Sequence, residues 1–141
     1  MYVLDTNIIS ELRHGKPRQS AEVRAWAAGI PANQLFLSAI SILEIEKGIL
    51  GLERRPKAQS GLQVSALSTW LTGVRATFAG RILPFTENTA MLCAGLHVPK
   101  PRPDRDAMIA ATALEHRMTV VTRNVADFVG TGVALINPFA Q

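Results

Sequence analysis

The sequence predicts an α/β protein: a three-layer α/β/α sandwich around a central, mainly parallel sheet. Two observations carry this expectation. Short apolar runs with the character of strands alternate along the chain with segments whose apolar residues recur at helical spacing, the pattern of a parallel sheet covered on both faces. The run Met118 to Thr122 is β-branched and apolar, as a strand buried on both sides must be. Size agrees, since 141 residues of which 48% are hydrophobic suit one domain, 1–141, with a core that needs no disulfide or structural metal.

Taken in order, Tyr2 to Leu4 is a short apolar run that breaks at Asp5-Thr6-Asn7, and it reads as a first strand handing over to a short helix from Ile8 to Leu12. The polar stretch HGKPRQS leads to an amphipathic helix from about Ala21 to Ala28, a turn over Gly29 to Asn33, and a second strand from Gln34 to Leu37. Ser38 is placed to cap a long helix running to about Glu53, which ends in the polar segment RRPKAQSG. Leu62, Ala66, Leu67, Trp70, Leu71, Val74 and Phe78 then mark a second long helix, predicted to pair with the first. A third strand follows over Arg81 to Pro84, then a helix from about Glu87 to His97. Three prolines in VPKPRPDRD forbid continuous helix. An Ala-rich helix from Ala107 to His116 precedes the strand at 118–122, a polar turn with Asn124 and Asp127, and a last strand from Val133 to Ile136.

Composition narrows the setting. A single cysteine, Cys93, cannot pair within the chain and sits in the apolar stretch AMLCAGL, so it reads as a buried, inert thiol and nothing points to an oxidising compartment. Neither an apolar run of membrane-spanning length nor a signal peptide is expected, and the expected location is the cytoplasm. Net charge is +4. With up to four of the 11 acids assigned to a site, 15 Lys and Arg face 7 acids elsewhere, a negative pocket within a positive surface of the kind a phosphodiester substrate needs.

The candidate pocket rests on Asp5, Glu44 and Asp106. In open α/β sheets ligands bind beyond the carboxyl ends of strands, and both Asp5 and the turn from Asn124 to Asp127 follow predicted strand ends. Glu44 lies on a helix with Gly48 four residues on, leaving room beside the carboxylate, with Ile40 and Ser41 on the other side of that face. Asp106 stands in the first turn of an Ala-rich helix, where the macrodipole favours its ionised form. Ionised carboxylates without a His or Cys cluster form a hard-ligand set, suited to Mg²⁺ or Mn²⁺ and poorly suited to zinc. Each acid also has a plainer reading: Asp5 or Asn7 as a helix cap, Asp104 and Asp106 as first-turn acids, Glu44 as a solvated helix residue like Glu46.

These residues fall in six ordered segments: Leu4-Asp5-Thr6-Asn7; Leu37-Ser38-Ala39-Ile40 leading to Glu44; Phe78-Ala79-Gly80-Arg81-Ile82-Leu83-Pro84-Phe85; Asp106 ahead of Ile109-Ala110-Ala111-Thr112-Ala113; Thr122-Arg123-Asn124 followed by Asp127-Phe128; and Asn137-Pro138. Together, and from end to end, they resemble the PIN-domain family, and within it the VapC-type toxin ribonucleases of the FitB-like group. The resemblance implies that Asp5, Glu44 and Asp106 are catalytic, metal-binding acids, that Thr6 or Asn7 supports the first, and that Thr122 lies near the site. It also implies a Mg²⁺ or Mn²⁺ cofactor, an RNA substrate, a homodimer, and a small DNA-binding antitoxin through whose complex alone DNA is bound. One departure stands out. Where many members carry an acid directly after Thr-Arg, this chain has Asn124, which offers a carbonyl oxygen but no charge; Asp127 is the nearest replacement for the fourth metal position.

Around this set, Lys100, Arg102 and Arg105 are candidate RNA contacts on the Pro-rich approach to Asp106, and Arg13, Lys16 and Arg18 form a second candidate patch, each with a solvated loop as its plainer reading. Trp26 and Trp70 stand at core-facing spacings and read as packing or dimer contacts. His14, His97 and His116 receive no catalytic role. The expected function is a metal-dependent endoribonuclease acting as a toxin. The alternatives are a catalytically weak PIN-like binding module working through its antitoxin and DNA, and a receiver-type signalling domain, whose required Asp and Lys after particular strands are missing.

Overall fold

The computed structural model describes residues 1–139, and for 57–60 the backbone alone. Five parallel strands, β1 (Tyr2–Leu4), β2 (Leu35–Ser38), β3 (Ile82–Leu83), β4 (Thr119–Val121) and β5 (Leu135–Ile136), form one sheet in the order β3-β2-β1-β4-β5. Among the described residues seven α-helices accompany them: α1 (Thr6–Glu11), α2 (Ala21–Ala28), α3 (Ala39–Glu53), α4 (Lys57–Thr77), α5 (Glu87–Leu96), α6 (Asp104–Glu115) and α7 (Val125–Phe128). No helix among the described residues is long and apolar enough to cross a membrane.

Strand periodicity sorts the core into two layers, because successive side chains point to opposite faces. On one face Leu4, Leu35, Leu37 and Val121 pack with Ile8 of α1, Val23 of α2, Ile45 and Ile49 of α3, and Leu71 and Val74 of α4. On the other, Val3 and Val120 pack with Ile109, Ala110 and Ala113 of α6 and Phe128 of α7. Cys93 of α5 joins Ala107 and Ala111 of α6, and burial pushes its thiol up, with the charge of Asp104 adding to the shift, so this sulfur is a packing group. The α/β/α sandwich is therefore as predicted. The alanines of α6 are fully buried; their small side chains let that helix lie close on the sheet, which fixes where its first turn, and Asp106, can stand.

Several boundaries differ from the sequence reading, for local reasons. Helix α4 begins at Lys57, inside the segment read as a polar break, because Pro56 supplies an extended residue from which a helix can start. Leu62, assigned to its apolar stripe, is 91% exposed; the stripe proper is Val64, Leu67, Trp70, Leu71 and Val74. Helix α6 starts at Asp104, directly after the extended Pro103, so the third proline sets the helix start and both Asp104 and Asp106 lie in its first turn. A 3-10 turn over Ala32–Gln34 takes the residue expected to open the second strand. Helices α3 and α5 start as their caps dictate: Ser38 Oγ accepts from the Ile40 N–H at 3.0 Å, and Thr86 and Thr89 form a reciprocal capping box.

Trp26 meets Tyr2 edge-on, with ring centroids 5.3 Å apart, and Trp70 packs on the same core layer. Both have the packing role expected of them.

Candidate active site

Strand order decides where the site forms. From β1 the chain moves outward through β2 to β3, then returns to the other side of β1 at β4, so the topological switch lies between β1 and β4. Leu4 pairs with Val121 in register, which makes the next residues, Asp5 and Thr122, neighbours beyond the carboxyl ends of the two strands. The Asp5 N–H donates to the Val121 carbonyl at 2.9 Å, and the Thr122 hydroxyl donates to Asp5 Oδ2 at 2.8 Å.

Asp5 has no exposed surface and is held from three sides. Its Oδ1 accepts from the Thr6 N–H at 2.8 Å, so it does cap α1, while Oδ2 also accepts from Asn7 Nδ2 at 3.3 Å. The capping role and the candidate ligand role thus belong to one residue. Asn7 in turn accepts from the Arg123 N–H at 3.2 Å through its Oδ1, tying α1 to the loop after β4. Thr6 extends the network: its hydroxyl donates to Glu44 Oε1 at 2.8 Å, linking the first acid's helix to the second acid.

The other oxygen of Glu44, Oε2, accepts from Arg105 Nη1 at 2.9 Å. The same guanidinium holds Asp106 Oδ1 through Nη2 at 2.9 Å and Nε at 3.2 Å. Glu44 and Asp106, from α3 and α6, are thereby joined through one cation. Arg105, a candidate RNA contact from the sequence, here has its donors turned inward onto the acids. Arg102 straps the Pro-rich turn, with Nε on the Leu96 carbonyl at 2.8 Å and Nη1 on the Val129 carbonyl at 3.1 Å. Of the three, Lys100 stands exposed on that turn. In the second patch, Lys16 pairs with Glu11 at 2.9 Å, Arg13 lies over Trp70 at 6.0 Å, and Arg18 is exposed.

Burial, before any neighbour, sets the electrostatics. It pushes the Asp5 carboxyl up; the hydrogen bonds from Thr122 and Thr6 and the charge of Arg105 oppose this, and Glu44 adds repulsion. Asp106 is also pushed up by burial, with Arg105 pulling down and the charges of Asp5 and Asp127 pushing up. Desolvation therefore outweighs the helix-end position that was expected to favour the ionised form of Asp106. Burial works against the charge of Arg105, but its bonds to Asp106 and Glu44 win, and its pKa is raised.

Asn124 and Asp127, the two candidates from the sequence for a fourth position, lie at the start of α7. Asp127, in the first turn of α7, is exposed and close enough for Asp106 to feel its charge. Asn124 precedes α7; its N–H donates to Thr122 Oγ1 at 3.0 Å, and its side chain makes no capping bond.

A cleft of about 570 Å³ opens over Glu44 and Arg105, walled by Ile40, Leu43, Lys47, Gly48, Asp104 and Met108. Gly48 has nothing within 4 Å of where a Cβ would stand, which agrees with the room expected there. Lys47 was not singled out from the sequence, although its position three residues after Glu44 puts it on the same helical face. A second, apolar groove of about 360 Å³ between α1 and α4 is lined by Ile9, Leu12, Trp70, Val74 and Phe78 and contains no carboxylate.

As donors, the three carboxylates are all oxygen and suit a hard divalent ion; the Ser41 hydroxyl, one turn before Glu44, is buried and unpartnered. Among the described residues no three His, Cys, Asp or Glu side chains are grouped so as to hold a metal ion as they stand. The positive charge this cluster calls for is supplied by the Arg105 guanidinium, a cation standing in between two of the acids.

A parallel sheet in this order, with acids converging beyond β1 and β4 from α3 and α6, is the architecture of a PIN domain, and the PIN domain family model matches residues 2–128. The chain belongs to that family. It is similar to Toxin FitB of Neisseria gonorrhoeae, 34% identical over 99% of each chain. It is also similar to a VapC ribonuclease of Sinorhizobium fredii, 33% identical over 99% of this chain and 98% of the relative. The crystal structure of FitAcB from Neisseria gonorrhoeae superposes with a TM-score of 0.85, covering both chains fully at 34% identity. The structure of FitAB bound to a DNA fragment gives the same TM-score and is covered over 97% of the solved chain.

Proposed function

We propose that the chain is a Mg²⁺- or Mn²⁺-dependent endoribonuclease acting as the toxin of a type II toxin–antitoxin pair. The observation that carries the reading is the joining of Asp5, Glu44 and Asp106 through Thr6 and Arg105 at the sheet's switch point. The names of the relatives, a toxin and a ribonuclease, agree with it.

Asp5, Glu44 and Asp106 would hold the ion, with Asn124 or Asp127 at a weaker fourth position. Once bound, such an ion supplies positive charge that acidifies water and offsets charge on the scissile phosphate. The chain's own residues do the positioning. Thr122, Thr6 and Asn7 fix both oxygens of Asp5, so the first carboxylate meets its ligand in one orientation. Thr6 couples that orientation to Glu44. Lys47 and Lys100 offer charge to the RNA backbone, and Ile40, Leu43 and Met108 give the cleft an apolar wall.

As a toxin, the chain would be held inactive by a small antitoxin and would meet DNA only through that complex, as in FitAB bound to DNA, with two copies of this chain forming the homodimer. The test is Asp5→Asn: RNA cleavage should be abolished while circular dichroism and thermal unfolding stay those of a folded protein, and expression without antitoxin should cease to arrest growth. Full Mg²⁺-dependent cleavage by this variant would overturn the assignment.

A further inference from the structure

Adjacent residues on a helix do not face one another, so an Arg next to an Asp has no default reason to bind it. Arg105 nevertheless folds back over the first turn of α6 and places two donors on Asp106 Oδ1 and a third on Glu44 Oε2. The carboxylate it chelates is nearly buried, at 4% side-chain exposure, whereas Arg105 itself is 36% exposed and lines the open cleft. The acids belong to rigid helices packed on the sheet. The guanidinium sits at the end of a flexible side chain with open space beside it. Of the two partners, the arginine is the one that can leave without the backbone moving.

We propose that Arg105 is a built-in counter-ion which occupies the cation position between Glu44 and Asp106, and which a divalent metal must displace before those acids can ligate it. The inference rests on the metal-dependent reading above, and deepens it. Two carboxylates approaching from separate helices, one of them nearly buried, repel one another, and a cation between them stabilises that approach when no metal is bound. The same cation opposes metal entry twice, by holding the ligand oxygens and by repelling a second positive charge. Metal binding therefore becomes an exchange of one cation for another, and the concentration of free Mg²⁺ at which the site fills is set by how tightly Arg105 is held. Displaced into the cleft, the guanidinium would stand beside Lys47.

The experiment measures Mn²⁺ and Mg²⁺ binding to the full chain by isothermal titration calorimetry, comparing wild type with Arg105→Met, which keeps much of the side-chain volume, and Arg105→Lys, which keeps the charge but not the fork. Removing the competitor should tighten Mn²⁺ binding by about tenfold or more in R105M, with R105K in between, while the metal-free R105M protein melts at a lower temperature than wild type. In parallel, the Arg105 Nε–H resonance of wild type, held on Asp106 in the absence of metal, should shift and exchange faster with water on saturation with Mg²⁺. Equal or weaker Mn²⁺ binding by folded R105M, or an Nε–H resonance unmoved at saturating Mg²⁺, would overturn the proposal; a wild-type protein that still binds Mn²⁺ and cleaves RNA would then leave the nuclease reading intact. Failure of both wild type and R105M to bind either ion would overturn both.

Discussion

Thr122 contributes no charge and no surface, yet the first acid depends on it. Its hydroxyl is the strongest influence favouring the ionised form of Asp5 against burial, and it also accepts from the Asn124 N–H, so one side chain joins the end of β4 to the carboxylate after β1. Thr122→Val keeps the shape and removes the donor. A buried carboxylate left short of one hydrogen bond costs about 1–3 kcal/mol, which urea denaturation would register. Loss of an orienting partner behind a metal ligand typically lowers activity by about 10- to 100-fold, so cleavage should fall in T122V and largely return in Thr122→Ser. A fully active T122V would show that Asp5 needs no such support. At this scale the sequence singled out Asp5, Glu44 and Asp106 through the segments that resemble the PIN-domain family, while each acid taken singly also read as a helix cap or a solvated residue. It offered Arg105 only as a candidate RNA contact and gave no sign of its pairing with the acids, since the direction a long side chain takes is decided by a partner, Glu44, that lies 61 residues away.

Elements declared themselves where the signal is local. Ser38 and Thr86 start α3 and α5 because a hydroxyl satisfies an N–H two or three residues along, which requires no knowledge of the fold. Strands of two residues, β3 and β5, have no such local mark; they exist because β2 and β4 offer them a ladder, and so their limits could not be read beforehand. The connection from α1 to α2 is another case. Glu11 is buried at the end of α1, where it accepts from the Ser20 N–H and pairs with Lys16 at 2.9 Å, closing a polar loop that looked merely solvated. Burial pushes the Glu11 carboxyl up, but the bonds from Lys16 and Ser20 outweigh it, and the net shift is below the ordinary glutamate value of 4.5. A depressed carboxyl pKa stabilises the fold above the unfolded value and loses that contribution as pH falls through the folded one. Glu11→Gln should therefore lower stability by about 1–2 kcal/mol at pH 7, with the difference from wild type shrinking as pH drops below 4.5. Thermal melts across pH 3 to 7 would check this; a deficit independent of pH would mean that packing, not charge, holds the loop.

Over the whole molecule, the excess of 15 Lys and Arg over 11 acids is less freely available than the count implies. Arg102 is bound to backbone carbonyls, Arg81 likewise to those of Ala32, Leu35 and Thr77, Arg105 to the acids, and Lys16 to Glu11. A polyanion would meet mainly the cations left exposed, and Lys47 is the one that shares the cleft with Glu44 and Arg105. Each phosphate contact to single-stranded nucleic acid contributes a slope of about −0.7 to the logarithm of affinity against the logarithm of salt. Fluorescence anisotropy with a labelled single-stranded RNA, using Asp5→Asn so that no strand is cut, should give a slope of several such increments. Adding Lys47→Gln should reduce it by about one, without changing the unfolding temperature appreciably because this side chain is exposed. An unchanged slope would mean that RNA approaches the acids from a side that Lys47 does not face, and Lys100, on the turn before α6, would become the next cation to neutralise.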